Sequence, residues 1–272
     1  MGLLLGAARR PGPALLAAPG AGNLPVTNAA PLARRAAAEF VGTGALVAVV
    51  VGSGIQATAL SRDVGVQLLA NSLATVFGLG VLITLLGPVS GAHFNPAVTL
   101  AAWWTGRREG TPRPRQVAVY VTAQLAGAIG GAVLANAVFG ERLVRWSGHV
   151  RWGAHLWLSE VVATAGLVLL ILGLTRIGRA HVAPVAVASY IGAAYWFTSS
   201  TSFANPAVTV GRAFTDTFAG IAPASVLPFI GAQLVGTAVG VGLAVVLFGR
   251  PSAPTEDAVQ PRTEPDSVSV RP

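Results

Sequence analysis

No cysteine occurs anywhere in this 272-residue chain, and no lysine. The first absence removes disulfides, thiolate nucleophiles and thiolate metal ligands. Charge of either sign is scarce: Asp, Glu, Lys and Arg make up 10% of the residues, where an ordinary soluble domain carries about 25%. The 18 basic residues are all arginines and outnumber the 10 acidic ones, for a net charge of +8. These arginines fall between apolar runs and form no single patch, which argues against nucleic-acid binding as the meaning of the excess. No nucleotide-binding loop, nucleophile elbow or metal-ligand spacing is present, so neither cofactor nor metal is expected. What is abundant is apolar sequence, at 53% of the chain.

A bilayer-spanning helix takes about 20 mainly apolar residues. Six stretches qualify, at 36–59, 66–87, 116–139, 155–174, 181–200 and 225–249. Two further apolar stretches, 90–104 and 202–214, are too short to span. Residues 1–33 and 250–272 read as disordered tails, the first rich in Ala, Pro and Gly, the second poor in large apolar residues. The expected domain therefore runs over 34–249.

Each short stretch carries the same hexapeptide frame. The first is Asn95, Pro96, Ala97, Val98, Thr99, Leu100; the second, 110 residues on, is Asn205, Pro206, Ala207, Val208, Thr209, Val210. Asn is a preferred helix N-cap and Pro a preferred first helical residue, so each copy predicts a helix start. The free N–H groups of such a start act as about half a positive charge. The repeat extends outward: Glu39-x-x-x-Thr43 matches Glu160-x-x-x-Thr164, and Gln124-x-x-Gly127 matches Gln233-x-x-Gly236. Each half, about 34–140 and 154–249, thus holds an odd number of spans. The second half must then sit upside down relative to the first, an inverted repeat whose broken helices meet near mid-membrane.

Arginine placement predicts orientation. Arg34, Arg35, Arg107, Arg108, Arg113, Arg115, Arg176 and Arg179 would share one side, with Arg62, Arg142, Arg145, Arg151 and Arg212 on the other. Both termini are then cytoplasmic.

The run Ser90-Gly91-Ala92-His93-Phe94-Asn95-Pro96-Ala97-Val98-Thr99 closely resembles the first signature of the major intrinsic proteins, the aquaporins and aquaglyceroporins. The second Asn-Pro-Ala and the six-span frame match the same family, over about residues 34–249. The resemblance implies an all-α membrane protein of six transmembrane helices and two re-entrant half-helices, a homotetramer in the bacterial inner (plasma) membrane with a pore in each subunit. Asn95 and Asn205 are expected to present amide N–H groups to that pore while their oxygens are tied to backbone. Glu39, Glu160 and His93 are expected to hold the half-helix loops in place. Gln124 and Gln233, with their small neighbours, are expected at helix contacts.

One departure stands out. The family usually places Arg directly after the second Asn-Pro-Ala, and here that position is Val208. Arg212 lies one turn further on, a packing or vestibule residue. Counting from the two Asn residues places Thr75, Ala193 and Ser202 at the other filter positions, with Phe77 as the alternative to Thr75. A filter of Thr75, Ala193, Ser202 and Val208 has no aromatic, no His and no charge, and looks wide. Losing an arginine removes an interaction on the order of 4 kcal/mol with a cation about 4 Å away. The expected function is a passive channel for small uncharged polar solutes: glycerol, metalloid species such as arsenous acid, and water. The alternatives are an ordinary water-selective aquaporin and, more remotely, a secondary transporter, which also uses inverted repeats and broken helices.

Overall fold

The structure, a computed structural model, describes residues 30–106 and 112–249. Arg107, Arg108 and most of the two expected tails lie outside the described residues. Among the described residues eight α-helices follow one another: α1 (Leu32–Leu60), α2 (Val64–Ser90), α3 (Pro96–Gly106), α4 (Pro114–Val138), α5 (Ala154–Arg176), α6 (Ala183–Phe197), α7 (Pro206–Gly211) and α8 (Pro223–Phe248). α1 opens at Leu32, slightly ahead of the expected domain start. Among the described residues, α1, α2, α4, α5 and α8 are long and apolar enough to cross a membrane. α6 is shorter than the expected span 181–200, with 15 residues behind a 3₁₀ turn at Ala180–Val182. At 1.5 Å per residue it is about 22 Å long.

The helix limits follow local chemistry. Asp63 caps α2 by accepting from the Val66 N–H at 3.0 Å, and Gly91 closes it with φ 90°. Gln116 reaches back to the Arg113 N–H at 2.9 Å to open α4. α7 ends after six residues in a 3₁₀ turn, Arg212–Phe214.

The two halves repeat element for element: α1 packs on α4 as α5 packs on α8, while α2 meets α6, α3 meets α8 and α7 meets α4 across the halves. Glycines make the within-half contacts close. A Cβ on Gly127 or Gly131 would overlap the carbonyl oxygens of Phe40 and Gly44; one on Gly236 or Gly240 would lie 2.6 and 2.5 Å from those of Val161 and Ala165. Large apolar side chains such as Val81, Leu85, Val185, Leu227 and Val246 stay on the outside. With no water to drive helices together in lipid, backbone proximity and van der Waals packing hold such a bundle.

Candidate functional site

The groups at the centre come mostly in matched pairs, one from each half. The Asn95 side-chain oxygen accepts from the Ala97 N–H at 2.9 Å, and that of Asn205 from Ala207 and Val208 at 3.0 and 3.2 Å. Each Asn therefore caps its own half-helix. Each amide nitrogen then crosses to the other half: Asn95 Nδ2 donates to the Ala204 carbonyl and Asn205 Nδ2 to the Phe94 carbonyl, both at 2.8 Å. One N–H of each amide is used this way, and one remains for the lumen.

The loops before the two Asn residues are held in a conformation L-residues rarely adopt. Ala92 and Phe94 have φ 48° and 47°; Ser202 and Ala204 have 50° and 47°. Such left-handed residues cost about 1–2 kcal/mol each. A buried carboxylate in each half offsets that strain. Glu39 accepts from Ser90 Oγ (2.6 Å), the His93 and Phe94 N–H groups (3.0 and 2.7 Å) and Gln124 Nε2 (2.8 Å). Glu160 accepts from Ser200 Oγ (2.6 Å), the Phe203 and Ala204 N–H groups (2.9 and 2.8 Å) and Gln233 Nε2 (2.6 Å). The two glutamines are thus polar links as well as helix contacts, each also bonded to the frame threonine of its half, Thr99 or Thr209. His93 Nδ1 lies 3.1 Å from Thr99 Oγ1 and the ring stands edge-on to Tyr120. Ser90, Ser200, Thr99 and Thr209 carry no role in the sequence reading; their matched spacing is the signal for them.

A cavity of about 710 Å³ runs past this centre. Asn95, Asn205 and the loop residues 91–94 and 202–204 line its middle. Helical stripes at i, i+4 and i+8 line its walls: Thr75, Leu79 and Ile83 from α2, and Val187, Ile191 and Tyr195 from α6. Thr105, Thr175, Arg176 and Phe248 line one end. There Arg176 Nη1 donates to the Ala244 carbonyl, and Nη2 has no partner among the described residues.

The other end corrects the expected filter. Thr75, Ser202 and Val208 do line it. Phe77 does not: it is 69% exposed, two residues and so about 200° around α2 from Thr75. Ala193 fails for the same reason. It is exposed on the outer side of α6, and Tyr195, four residues after the lumen-facing Ile191, lines the cavity instead. The Tyr195 hydroxyl lies 3.1 Å from Thr75 Oγ1. Ser202 Oγ is buried with no partner. Arg212 lines this end too, only 4% exposed. Its Nε donates to the Ala219 carbonyl and its guanidinium carbon stands 3.4 Å from the centre of the Phe203 ring.

The segment between α4 and α5 folds over this mouth. Ser147 N–H donates to the Ala213 carbonyl, Ala222 N–H to that of His149, and Arg145 pairs with Asp216 at 3.0 Å. Arg151 Nε donates to the Gly220 carbonyl at 3.0 Å, and burial pushes this guanidinium down to about 10.

Six lipid-length or near-lipid-length helices in two inverted halves, joined at two capped half-helices beside a cavity, define an integral membrane channel for small neutral solutes. The sequence model of the family described as Major intrinsic protein matches residues 27–204, and the chain belongs to that family. It is 49% identical over 234 residues to the aquaglyceroporin AqpS of Rhizobium meliloti, covering 86% of this chain and 98% of that one. It is 31% identical to the glycerol uptake facilitator protein of Pseudomonas aeruginosa, covering 89% and 99%. The fold matches the X-ray structure of the aquaglyceroporin from Plasmodium falciparum with a TM-score of 0.54 and 22% identity, over 81% of this chain and 96% of that one.

Proposed function

We propose that the pore passes uncharged polyhydroxylated solutes larger than water, polyols of glycerol size and trihydroxy metalloid acids such as arsenous acid, passively and with no chemical step. One observation carries this reading: the lumen is amphipathic at its filter end. Val208, Leu79, Ile191 and the Tyr195 ring form an apolar wall, while Ser202 Oγ and the two Asn amides offer hydrogen bonds. A solute with hydroxyls on one edge and a nonpolar other edge regains there the hydrogen bonds it loses on leaving water. A bare water molecule needs no such wall. The names of the two relatives, an aquaglyceroporin and a glycerol uptake facilitator, agree with the polyol class.

Stopped-flow light scattering on proteoliposomes tests this. Glycerol and arsenous acid should enter far faster than into protein-free vesicles. Val208→Arg, which fills the apolar wall with a guanidinium, should slow both by about an order of magnitude while slowing water less. Water passing alone would overturn the reading, and an unaltered Val208→Arg would remove Val208 from the constriction.

The same reading extends to a homotetramer in the plasma membrane with both termini cytoplasmic. Arg34, Arg35, Arg113, Arg115, Arg176 and Arg179 on one side, against Arg62, Arg142, Arg145, Arg151 and Arg212 on the other, support the orientation. The chain has no cysteine, so one Cys introduced at either terminus reports its side cleanly. In whole cells it should resist a membrane-impermeant maleimide and react only after lysis; labelling of intact cells would reverse the topology.

A further inference from the structure

We propose that Arg212 is the cation barrier of this pore and a hydrogen-bond donor to solute at its constriction, acting from one helical turn beyond Val208. The proposal rests on the cavity being a pore for neutral solutes.

Three observations meet at this side chain. It is 4% exposed, yet it lines the cavity. Its Nε is held by the Ala219 carbonyl and its face lies on Phe203, which fixes the guanidinium. Neither Nη nitrogen has a protein acceptor among the described residues. A buried cation is costly and is normally paired with a carboxylate. Among the described residues Arg212 has no ion pair; the pairing there is Arg145 with Asp216, at the rim. Instead a second guanidinium, Arg151, stands 5.1 Å from the centre of the same Phe203 ring. The carbonyl and the ring's π-face solvate part of the charge. The remainder acts on whatever occupies the lumen, where a low-dielectric wall strengthens it.

The consequences differ by solute. A hydrated proton or alkali cation meets a fixed positive charge and is repelled. A neutral hydroxylated solute meets free N–H donors in the same cavity that Ser202 lines. Val208 does not block this, because residues i and i+4 lie one above the other on a helix face. Selectivity against cations can thus survive an aliphatic residue at position 208.

The test compares proton leak with glycerol entry in the same proteoliposomes. A valinomycin-set K⁺ diffusion potential drives protons, internal pyranine reads them, and light scattering reads glycerol. For Arg212→Gln the ratio of proton leak to glycerol entry should rise about tenfold or more. Arg212→Lys, which keeps the charge, should hold the ratio near wild type. Should Arg212→Gln fail to insert, Val208→Glu decides: it leaves the Ala219 bond intact and sets a carboxylate one turn away, and the ratio should rise there too. A ratio that stays at the wild-type value in Arg212→Gln, or in Val208→Glu where Arg212→Gln does not insert, would reduce Arg212 to a packing residue. A wild-type protein that passes no glycerol would instead overturn the pore reading itself.

Discussion

Glu160→Gln is expected to cost on the order of 3 kcal/mol of stability and most of the flux, although the side chain touches no solute. The carboxylate faces four donors and no acceptor: Ser200 Oγ, two backbone N–H groups and Gln233 Nε2. An amide of the same shape turns one acceptor into a donor, so two of those four groups lose their partner. Unpaired buried N–H groups then cost about 1–3 kcal/mol each. The damage falls on residues already strained. Ser202 and Ala204 hold φ near +50° because the neighbouring N–H groups are drawn to Glu160. Released, this loop should relax, moving the Ala204 carbonyl away from Asn95 and opening the crossed pair at the centre. Glu39→Gln should do the same to the other half, by a similar amount, through Phe94 and Asn205. Thermal unfolding in detergent and glycerol entry in vesicles measure both effects. Wild-type melting and flux in either variant would show that the carboxylate does not hold its loop.

The repeat was readable because its chemistry needs particular side chains. Asn-Pro-Ala, the spanning glutamates and the glutamines stand at matched spacing in both halves, and each falls where the structure joins them. The filter was less readable, for two physical reasons. Counting residues from Asn205 carries no helical phase, and a phase error of two residues turns α6 by about 200°; hence Ala193 was expected where Tyr195 stands. The stripe Val187, Ile191, Tyr195 was present in the sequence and sets the phase once it is laid on a helix. Arg212 is legible only as a packing or vestibule residue, for a different reason. Whether an arginine at the end of a six-residue helix turns to lipid, loop or lumen depends on Phe203 and Ala219, which reach it through tertiary contacts. The left-handed loops were hidden as well. No glycine marks Phe94, Ser202 or Ala204, since side-chain carboxylates, not chain freedom, impose that conformation.

Gly131→Val should be as severe as losing a carboxylate, by another route. A Cβ at this position falls into the Gly44 carbonyl oxygen, and the same is true of Gly127 against Phe40. The obstructing atoms are backbone, so no rotamer change relieves the overlap. α1 and α4 must move apart along the seam that carries Glu39 on one helix and Gln124 on the other, bonded at 2.8 Å. Overpacking in a rigid core costs about 1–3 kcal/mol, and the parted seam adds the weakening of that buried bond. Lipid gives no hydrophobic return for the separated surfaces, because acyl chains are as apolar as the side chains they replace. Gly231→Ala is the control: nothing lies within 4 Å of its added Cβ, and alanine favours helix over glycine by about 1 kcal/mol. The expected result is a Gly131→Val protein that melts well below wild type and passes little glycerol, beside a Gly231→Ala protein at least as stable as wild type. Equal melting of the two variants would mean that α1 and α4 do not approach through their glycines. The glycine at 131 would then owe nothing to backbone proximity, and the position of Gln124 against Glu39 would need another support.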